Sequence, residues 1–265
     1  MTTLLDSPAP SVVEALRGER RRRPLADRAS SSGLRAQLED GIFEVTAGHR
    51  PAAPIVIRTS SLRVAPLTTD LASSSLGRLR GVLLIELLRL ASVGFQVESP
   101  FDDALDAWRC QSSSGAVADG LERLNRDEVA RLATDVEAHW TTLRRALGTV
   151  PGPWLPRSAL RVSQHLGGGD VVLADTVDLM LGSTNTDVAS VTLLDVTTSP
   201  LGDGAERALR FHALVQTLRT GVVPLRSSAF SSATGELWVR DVDRELLQRG
   251  VRDVLEALGR LWRNP

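Results

Sequence analysis

The sequence predicts an α/β protein with a mixed central sheet flanked by helices. Two observations predict this class. Before the break at Pro151–Pro153, apolar residues recur at helical spacing. After it, short apolar runs bounded by glycine alternate with helical patterns. Strands that alternate with helices in this way build a sheet covered by helices.

The first part of the chain is predicted to be mainly helical. A helix covers Leu76 to Leu90, and we interpret the serines Ser73 to Ser75 before it as its cap. A shorter helix covers Phe101 to Arg109. A third covers Arg126 to Leu147 and places apolar residues on one face: Val129, Leu132, Val136, Trp140 and Leu143. Short β-like pieces precede these helices, from Ile55 to Val64.

The second part contains the predicted sheet. Leu160–Leu166 and Val171–Leu181 read as strands joined by a hairpin turn at Gly167–Gly169, because glycine accepts the positive φ of tight turns. Val171–Leu181 is apolar on both faces, which is typical of a central strand. Val191–Thr198 follows as an antiparallel neighbour, and helix Ala205–Arg219 is expected to pack on the sheet. The remaining predicted elements are strands Val222–Phe230 and Glu236–Arg240 and the helix Asp243–Leu261.

The domain organisation follows from composition. Residues 1–50 are rich in Ser, Pro, Ala and Arg, which predicts a loosely structured arm, cut first by proteases near Arg20–Arg23. The alternative is a basic arm that contacts phosphates. Residues 51–265 are expected to form one domain, with a helical part at 76–150, a sheet core at 160–240 and a C-terminal helix at 243–261.

Composition also excludes several functions. All 31 cationic side chains counted as Lys or Arg are arginines, so no amine is available as catalytic base or Schiff-base nucleophile. Cys110 is the single cysteine, which excludes a disulfide framework and a cysteine zinc cluster and fits a cytoplasmic protein. No signal peptide is apparent at the start of the sequence. The apolar run Gly81–Leu88 is too short to span a bilayer. No P-loop or Gly-x-Ser-x-Gly motif is present.

Two acidic residues stand out among the predicted strands. Asp178 lies between Val177 and Leu179, and Asp195 lies between Leu194 and Val196. A carboxylate among apolar residues is costly to bury without a partner. If the two strands pair, the carboxylates approach each other, and a divalent cation such as Mg²⁺ would offset their repulsion. The alternative is that each accepts hydrogen bonds at a strand end.

These segments resemble the PD-(D/E)XK nuclease superfamily, in its RecB-like branch. Ala174–Gly182 is similar to the family's first acidic segment, and Asp195-Val196-Thr197 is similar to its D-x-K segment. Helix Glu206–Leu218 resembles the helix that follows, and the helix with Gly81 and Glu86 resembles the family's first helix. The resemblance extends over roughly Leu76 to Leu247. It implies a restriction-endonuclease-like core, DNA as partner and a Mg²⁺ site formed by Glu86, Asp178 and Asp195.

The departures from the family pattern concern the catalytic residues. Residues two apart in a strand share a face, so Thr197 stands beside Asp195 where the family has its lysine. Thr197 is neutral and cannot stabilise charge at a phosphate. The family's Gln and Tyr, four residues apart on the next helix, correspond here to Ala208 and His212. The catalytic candidates are therefore Asp178, Asp195, Thr197 and His212.

Several residues have two interpretations. Glu86 either completes the metal site or pairs with Arg89 one turn away. His212 either belongs to the site or packs within its helix. Arg207 and Arg210 either supply a substitute cation or form a solvated helix face.

Two functional classes follow from these residues. The first is a metal-dependent nuclease acting on DNA, catalytically impaired because Thr197 stands at the lysine position. The second is a non-enzymatic relative that serves as a protein-interaction or scaffold subunit. Neither class involves a membrane. The missing lysine favours the second class, and the retained pair of Asp178 and Asp195 favours the first.

Overall fold

A mixed six-stranded sheet flanked by helices organises the protein. The computed structural model describes residues 12, 16, 28–62, 71–110, 115–150, 152–182 and 191–263. Within them the strands are β1 (Ile55–Ile57), β2 (Arg157–Leu166), β3 (Val171–Leu181), β4 (Thr192–Thr197), β5 (Arg226–Ser231) and β6 (Leu237–Asp241). The helices are α1 (Arg28–Thr46), α2 (Leu71–Ser92), α3 (Pro100–Cys110), α4 (Gly115–Glu122), α5 (Arg126–Leu147), α6 (Asp203–Thr220) and α7 (Arg244–Arg263). The α/β class and the mixed sheet are confirmed.

The predicted hairpin forms the centre of the sheet. β2 and β3 pair antiparallel along nearly their whole length, and β4 pairs antiparallel with the end of β3. The turn between β2 and β3 contains Gly167, Gly168 and Gly169 at φ of 57°, 67° and 102°. Only glycine adopts such angles without strain, so this triplet sets the hairpin register. The three predicted strands are therefore confirmed as consecutive antiparallel neighbours.

The order along the sheet is β1, β3, β4, β5 and β6, with β2 on the other side of β3. β1 runs parallel to the start of β3, at Val171–Leu173, and β4 pairs with its end, at Leu179–Leu181. Between them, residues 174–178 have no strand partner on that edge among the described residues. The sheet therefore opens beside the middle of β3.

β3 changes face at Asp178. Val177 and Met180 pack into the same apolar cluster although they lie three residues apart, whereas a regular strand would place them on opposite faces. The pair of Ala159 and Asp178 is missing from an otherwise continuous β2–β3 register, and Ala159 has φ of 49°. This local irregularity resembles a bulge, which turns a side chain out of the regular alternation.

Two large apolar cores result, one on each side of the sheet. The first joins α1, α6 and α7 to the beginning of β3, around Phe211 and Leu173. The second joins α2, α3 and α5 to the end of β3, around Leu87, Trp140 and Leu179. α6 is almost entirely enclosed, with buried residues from Ala208 to Leu218. It ends at Gly221, which caps it with φ of 72°.

The expectation of a loosely structured arm over residues 1–50 is wrong for residues 28–46. These residues form α1, whose Leu34, Leu38 and Ile42 are buried in the first core. The three side chains are spaced four apart and share one face of the helix. Their burial offsets the conformational entropy that is lost when this segment becomes ordered, although the overall hydrophobicity of the segment is low. The expected protease site at Arg20–Arg23 lies outside the described residues.

Other differences are local. α2 begins at Leu71, so Ser73 to Ser75 lie within the helix and do not precede it. β5 begins at Arg226 because Pro224, which lacks an N–H, cannot join the ladder. β1 ends at Ile57, and a short 3-10 helix, Thr59–Leu62, replaces the further β-like piece. α4 was not predicted. No described helix combines the length and apolar character that crossing a bilayer requires.

Candidate functional site

The acidic pair lies where β3 and β4 begin to separate. The antiparallel register pairs Met180 with Leu193 and Leu179 with Leu194, and its next position brings Asp178 opposite Asp195. The ladder ends there, and the backbone N–H of Val196 instead donates to Asp178 Oδ2 at 2.7 Å. The two carboxylates that the sequence singled out are thus brought together by strand register.

Their proximity changes the protonation of Asp178. Burial, then the negative charge of Asp195, raises the pKa of Asp178 well above its usual range, while the N–H of Val196 acts in the opposite direction. A hydrogen bond that the protonated carboxyl of Asp178 donates to Asp195 adds to the rise. Asp178 therefore holds its proton to higher pH than an ordinary aspartate does.

His212 reaches this pair from α6. Its ring is 2% exposed, and Nδ1 donates to the two carboxylate oxygens of Asp175 on β3 at 2.9 and 2.8 Å. This fixes the ring so that Nε2 points towards β4, at 3.7 Å from Asp195 Oδ1. Nε2 has no hydrogen-bond partner at that distance. His212 thus lies between Asp175 on one side and the acidic pair on the other.

The surrounding charges keep His212 protonated. Burial alone would lower the pKa of its ring, but the charge and hydrogen bond of Asp175, helped by Asp195 and Asp178, raise it to about 9. The ring is therefore a cation at neutral pH. One buried imidazolium faces three carboxyl groups, and it balances part of the charge that would otherwise call for an external cation.

Thr197 lies beside Asp195 near the end of β4, as the resemblance implies, and supplies no charge. Its Oγ1 accepts the backbone N–H of Ser199 at 3.1 Å. Its carbonyl accepts both the N–H and the hydroxyl of Ser232, at 2.8 and 2.9 Å. The hydroxyl proton of Ser232 is used in this way, so His139 Nδ1, 2.8 Å from Ser232 Oγ, is the donor of that contact. Burial, then the charge of Arg80, lowers the pKa of His139, which leaves this ring neutral.

The other candidate residues are engaged elsewhere. Glu86 pairs with Arg89 at 2.8 Å within α2. On α6, Arg210 pairs with Asp253 at 2.7 Å, and Arg207 contacts Asp253 and Glu256, at 3.8 and 3.2 Å. The two arginines point to α7 and are neither a solvated face nor a substitute cation at the acidic pair. Of the four catalytic candidates, the fold brings together Asp178, Asp195 and His212, with Thr197 two residues further along β4.

The arrangement does not fit the magnesium site implied by the resemblance. Mg²⁺ prefers several oxygen ligands in octahedral geometry. The described part of the chain holds no group of three or more His, Cys, Asp or Glu side chains placed to bind a metal ion. Glu86 is not part of such a group with Asp178 and Asp195. The imidazolium of His212 already faces Asp195, so a cation is built into the site.

Sequence reasoning missed Asp175 and the contact of His139 with Ser232. Asp175 and His212 are 37 residues apart, and His139 and Ser232 are 93 apart, so no local pattern reveals either contact. A signal for Asp175 existed: it alternates with Leu173 and Val177 on the apolar face of a central strand. A carboxylate at such a position requires a buried partner.

Comparisons with known proteins do not assign the chain to a family. No protein-family model and no curated protein matches the chain. Among solved structures the chain is similar to one titled "Crystal structure of SSO0001", with 8% sequence identity over 84% of each chain and a TM-score of 0.32. The function is therefore inferred from the residues of this chain.

Proposed function

We propose that this chain is a PD-(D/E)XK nuclease-like protein that binds DNA and has little or no Mg²⁺-dependent cleavage activity. One observation carries the proposal: Asp178 and Asp195 face each other across adjacent antiparallel strands while His212 from the following helix holds Nε2 3.7 Å from Asp195. The order of elements, hairpin, strand, helix and strand, agrees with the resemblance drawn from the sequence.

The loss of cleavage has a physical reason. In metal-assisted phosphodiester hydrolysis a divalent cation activates water and neutralises charge at the phosphate. Here His212 supplies fixed positive charge beside the carboxylates, and Thr197 offers no cation at the position of the family's lysine. Arg207 and Arg210 are held by α7. The site retains its acidic residues but lacks the groups that act on the phosphate.

The test is cleavage and binding by the purified full chain. We expect a labelled DNA duplex to be bound, with cleavage in Mg²⁺ or Mn²⁺ no faster than that of an Asp195→Ala variant, which serves as the matched control. Rapid cleavage that Asp195→Ala abolishes would show an active nuclease and overturn the proposal.

A second candidate is a pseudo-nuclease that acts as a protein-interaction or scaffold subunit. The internal charge balance favours it, because the buried pair of Asp175 and His212, with the partly exposed Asp195 3.7 Å from the ring, places positive and negative charge together without a bound ligand. The same measurements separate the two candidates. The scaffold role predicts no DNA binding at moderate salt, whereas the first proposal requires it.

A further inference from the structure

A groove lies along the outer surface of the β2–β3 hairpin, where the sheet opens beside β3. Cross-strand neighbours form its floor: Arg161 lies opposite Thr176, and Ser163 lies opposite Ala174. Residues directly opposite each other and two apart along a strand share one face, so these four side chains form a continuous strip. The groove is open to solvent, has a volume of about 500 Å³, and is also lined by Arg58 and Thr59.

Two arginines flank this groove. Arg58 directly follows β1, whose last residue pairs with Leu173, and Arg161 lies on β2. Both are exposed, and neither guanidinium has an ion-pair or hydrogen-bond partner within the described residues. The arginines of α6 and β5 behave differently, since Arg210 and Arg226 each pair with a carboxylate. An arginine pair left uncompensated across a concave surface attracts anions.

The one acidic residue among those that line the groove does not cancel this field. Asp175 lies along the groove, but its carboxylate is 1% exposed and is held by His212 on the opposite side of the sheet. Thr59, Ser163 and Thr176, which line the same groove, carry hydroxyl groups that can donate hydrogen bonds. Guanidinium and hydroxyl donors together match the oxygens of a phosphate.

We propose that this groove binds a phosphate group through Arg58 and Arg161. The assignment rests on the proposed function for the source of that phosphate, the backbone of a nucleic acid passing the acidic pair three residues further along β3. No aromatic side chain lines the groove among the described residues, so there is no platform on which a base would stack. Recognition is therefore of the backbone and independent of base sequence.

The experiment measures binding of a fluorescein-labelled 20-nucleotide DNA, single-stranded and duplex, by anisotropy at several salt concentrations. The double variant Arg58→Gln/Arg161→Gln is compared with Arg131→Gln/Arg145→Gln, which removes two exposed arginines of α5. Each phosphate contact contributes close to one unit to the slope of log K against log salt. We expect the groove variant to bind about tenfold more weakly with a slope reduced by about one, and the control variant to bind like the native chain.

The outcomes separate the groove from the proposed function. If the native chain binds DNA and the groove variant binds equally well with the same slope, the groove assignment is wrong and the DNA-binding proposal stands. If the native chain binds no DNA, its melting temperature is measured with and without inorganic phosphate, to learn whether the groove binds free phosphate instead of the phosphates of a nucleic acid. If inorganic phosphate raises the melting temperature of the native chain but not of the groove variant, the groove is an anion site and its ligand is not a nucleic acid. No such rise, with no DNA binding, overturns both proposals.

Discussion

His212 Nδ1 lies 2.9 and 2.8 Å from the two oxygens of Asp175, and this contact aims the opposite nitrogen of the ring at Asp195. A carboxylate that holds one nitrogen of a histidine fixes its orientation and favours its protonated form. Asp175 therefore positions His212 and acts on Asp178 and Asp195 only through that ring. Without this contact the ring of His212 would lose both its fixed orientation and the main interaction that favours its protonated form.

The stability of the protein should fall as pH rises from neutral to alkaline values. The pKa of His212, raised to about 9 by its carboxylate neighbours against the effect of burial, exceeds the value of about 6.5 for an unfolded histidine. Its contribution is therefore complete below about pH 6.5 and is lost as the pH passes about 9. The raised pKa of Asp178 causes a loss of stability of the same sign, which begins at lower pH, above about 3.9 where an unfolded aspartate ionises.

The melting temperature measured from pH 6 to 10 checks this, with His212→Gln as the comparison. Glutamine keeps a donor for Asp175 but has no titratable charge, so the alkaline decline should become shallower. The carboxyl groups that face the ring are Asp175 and Asp178 from β3 and Asp195 from β4, and all remain in the variant. Parallel pH profiles for the two proteins would show that His212 is neutral in the native site.

Removing the charge of His212 should create a demand for a divalent cation. In His212→Gln the carboxylates of Asp178 and Asp195 face each other without a neighbouring imidazolium, and an external cation would then relieve their repulsion. We expect millimolar Mn²⁺ to raise the melting temperature of the variant by about 5 °C and to leave the native chain unchanged. Adding Asp195→Asn to the variant should remove the response. An equal rise in the melting temperature of the native chain with Mn²⁺ would contradict the proposal that His212 serves as the cation of the site.

Thr197→Lys should raise DNA cleavage. The new ammonium would lie on the face of β4 shared with Asp195 and restore the D-x-K pattern implied by the resemblance. A charge-stabilising donor is worth about 10²–10³ in rate, and the gain should appear once His212→Gln frees the carboxylates to hold Mg²⁺. Mg²⁺-dependent nicking of plasmid DNA measures the gain, and Asp195→Ala in the same background must abolish it. No gain in either background would assign the acidic pair a structural role.

Leu38→Ala should destabilise the protein although it lies in a region of low hydrophobicity. Leu38 is fully buried on α1 against the first core, and a buried leucine replaced by alanine costs about 2–5 kcal/mol. Gln37→Ala, at the exposed neighbouring position of the same helix, is the control and should cost little. Urea denaturation measures both. Equal midpoints for Leu38→Ala and the native chain would show that α1 contributes nothing to the fold.

Sequence reasoning located the elements whose signals are local. α5 spans the predicted Arg126 to Leu147 because a capping box of Asn125 and Glu128 starts it and Gly148 ends it. The central hairpin follows from three glycines between apolar runs. α1 was missed because its buried leucines are diluted by polar residues, and the averaged composition concealed their four-residue spacing.

The candidate site was predictable only in part, because some of its contacts join residues that are far apart in the sequence. Asp178 and Asp195 were found because each interrupts an apolar strand, and strand order then placed them together. The charge state of His212 depends on Asp175, which meets it only after β3 and α6 have packed. The groove between Arg58 and Arg161 depends on where β1 ends, and the sequence suggested a longer β-like segment there.

The change of face in β3 also determines how the protein should unfold. Leu173 belongs to the core beneath α6, and Leu179, six residues later, belongs to the core beneath α2 and α5. One strand thus forms a wall of both cores, and neither helical layer keeps its packing surface if β3 leaves the sheet. Tryptophan fluorescence, to which Trp108, Trp140 and Trp154 of the second core contribute, and the circular dichroism of all the helices should therefore change at one denaturant concentration, in a single cooperative transition.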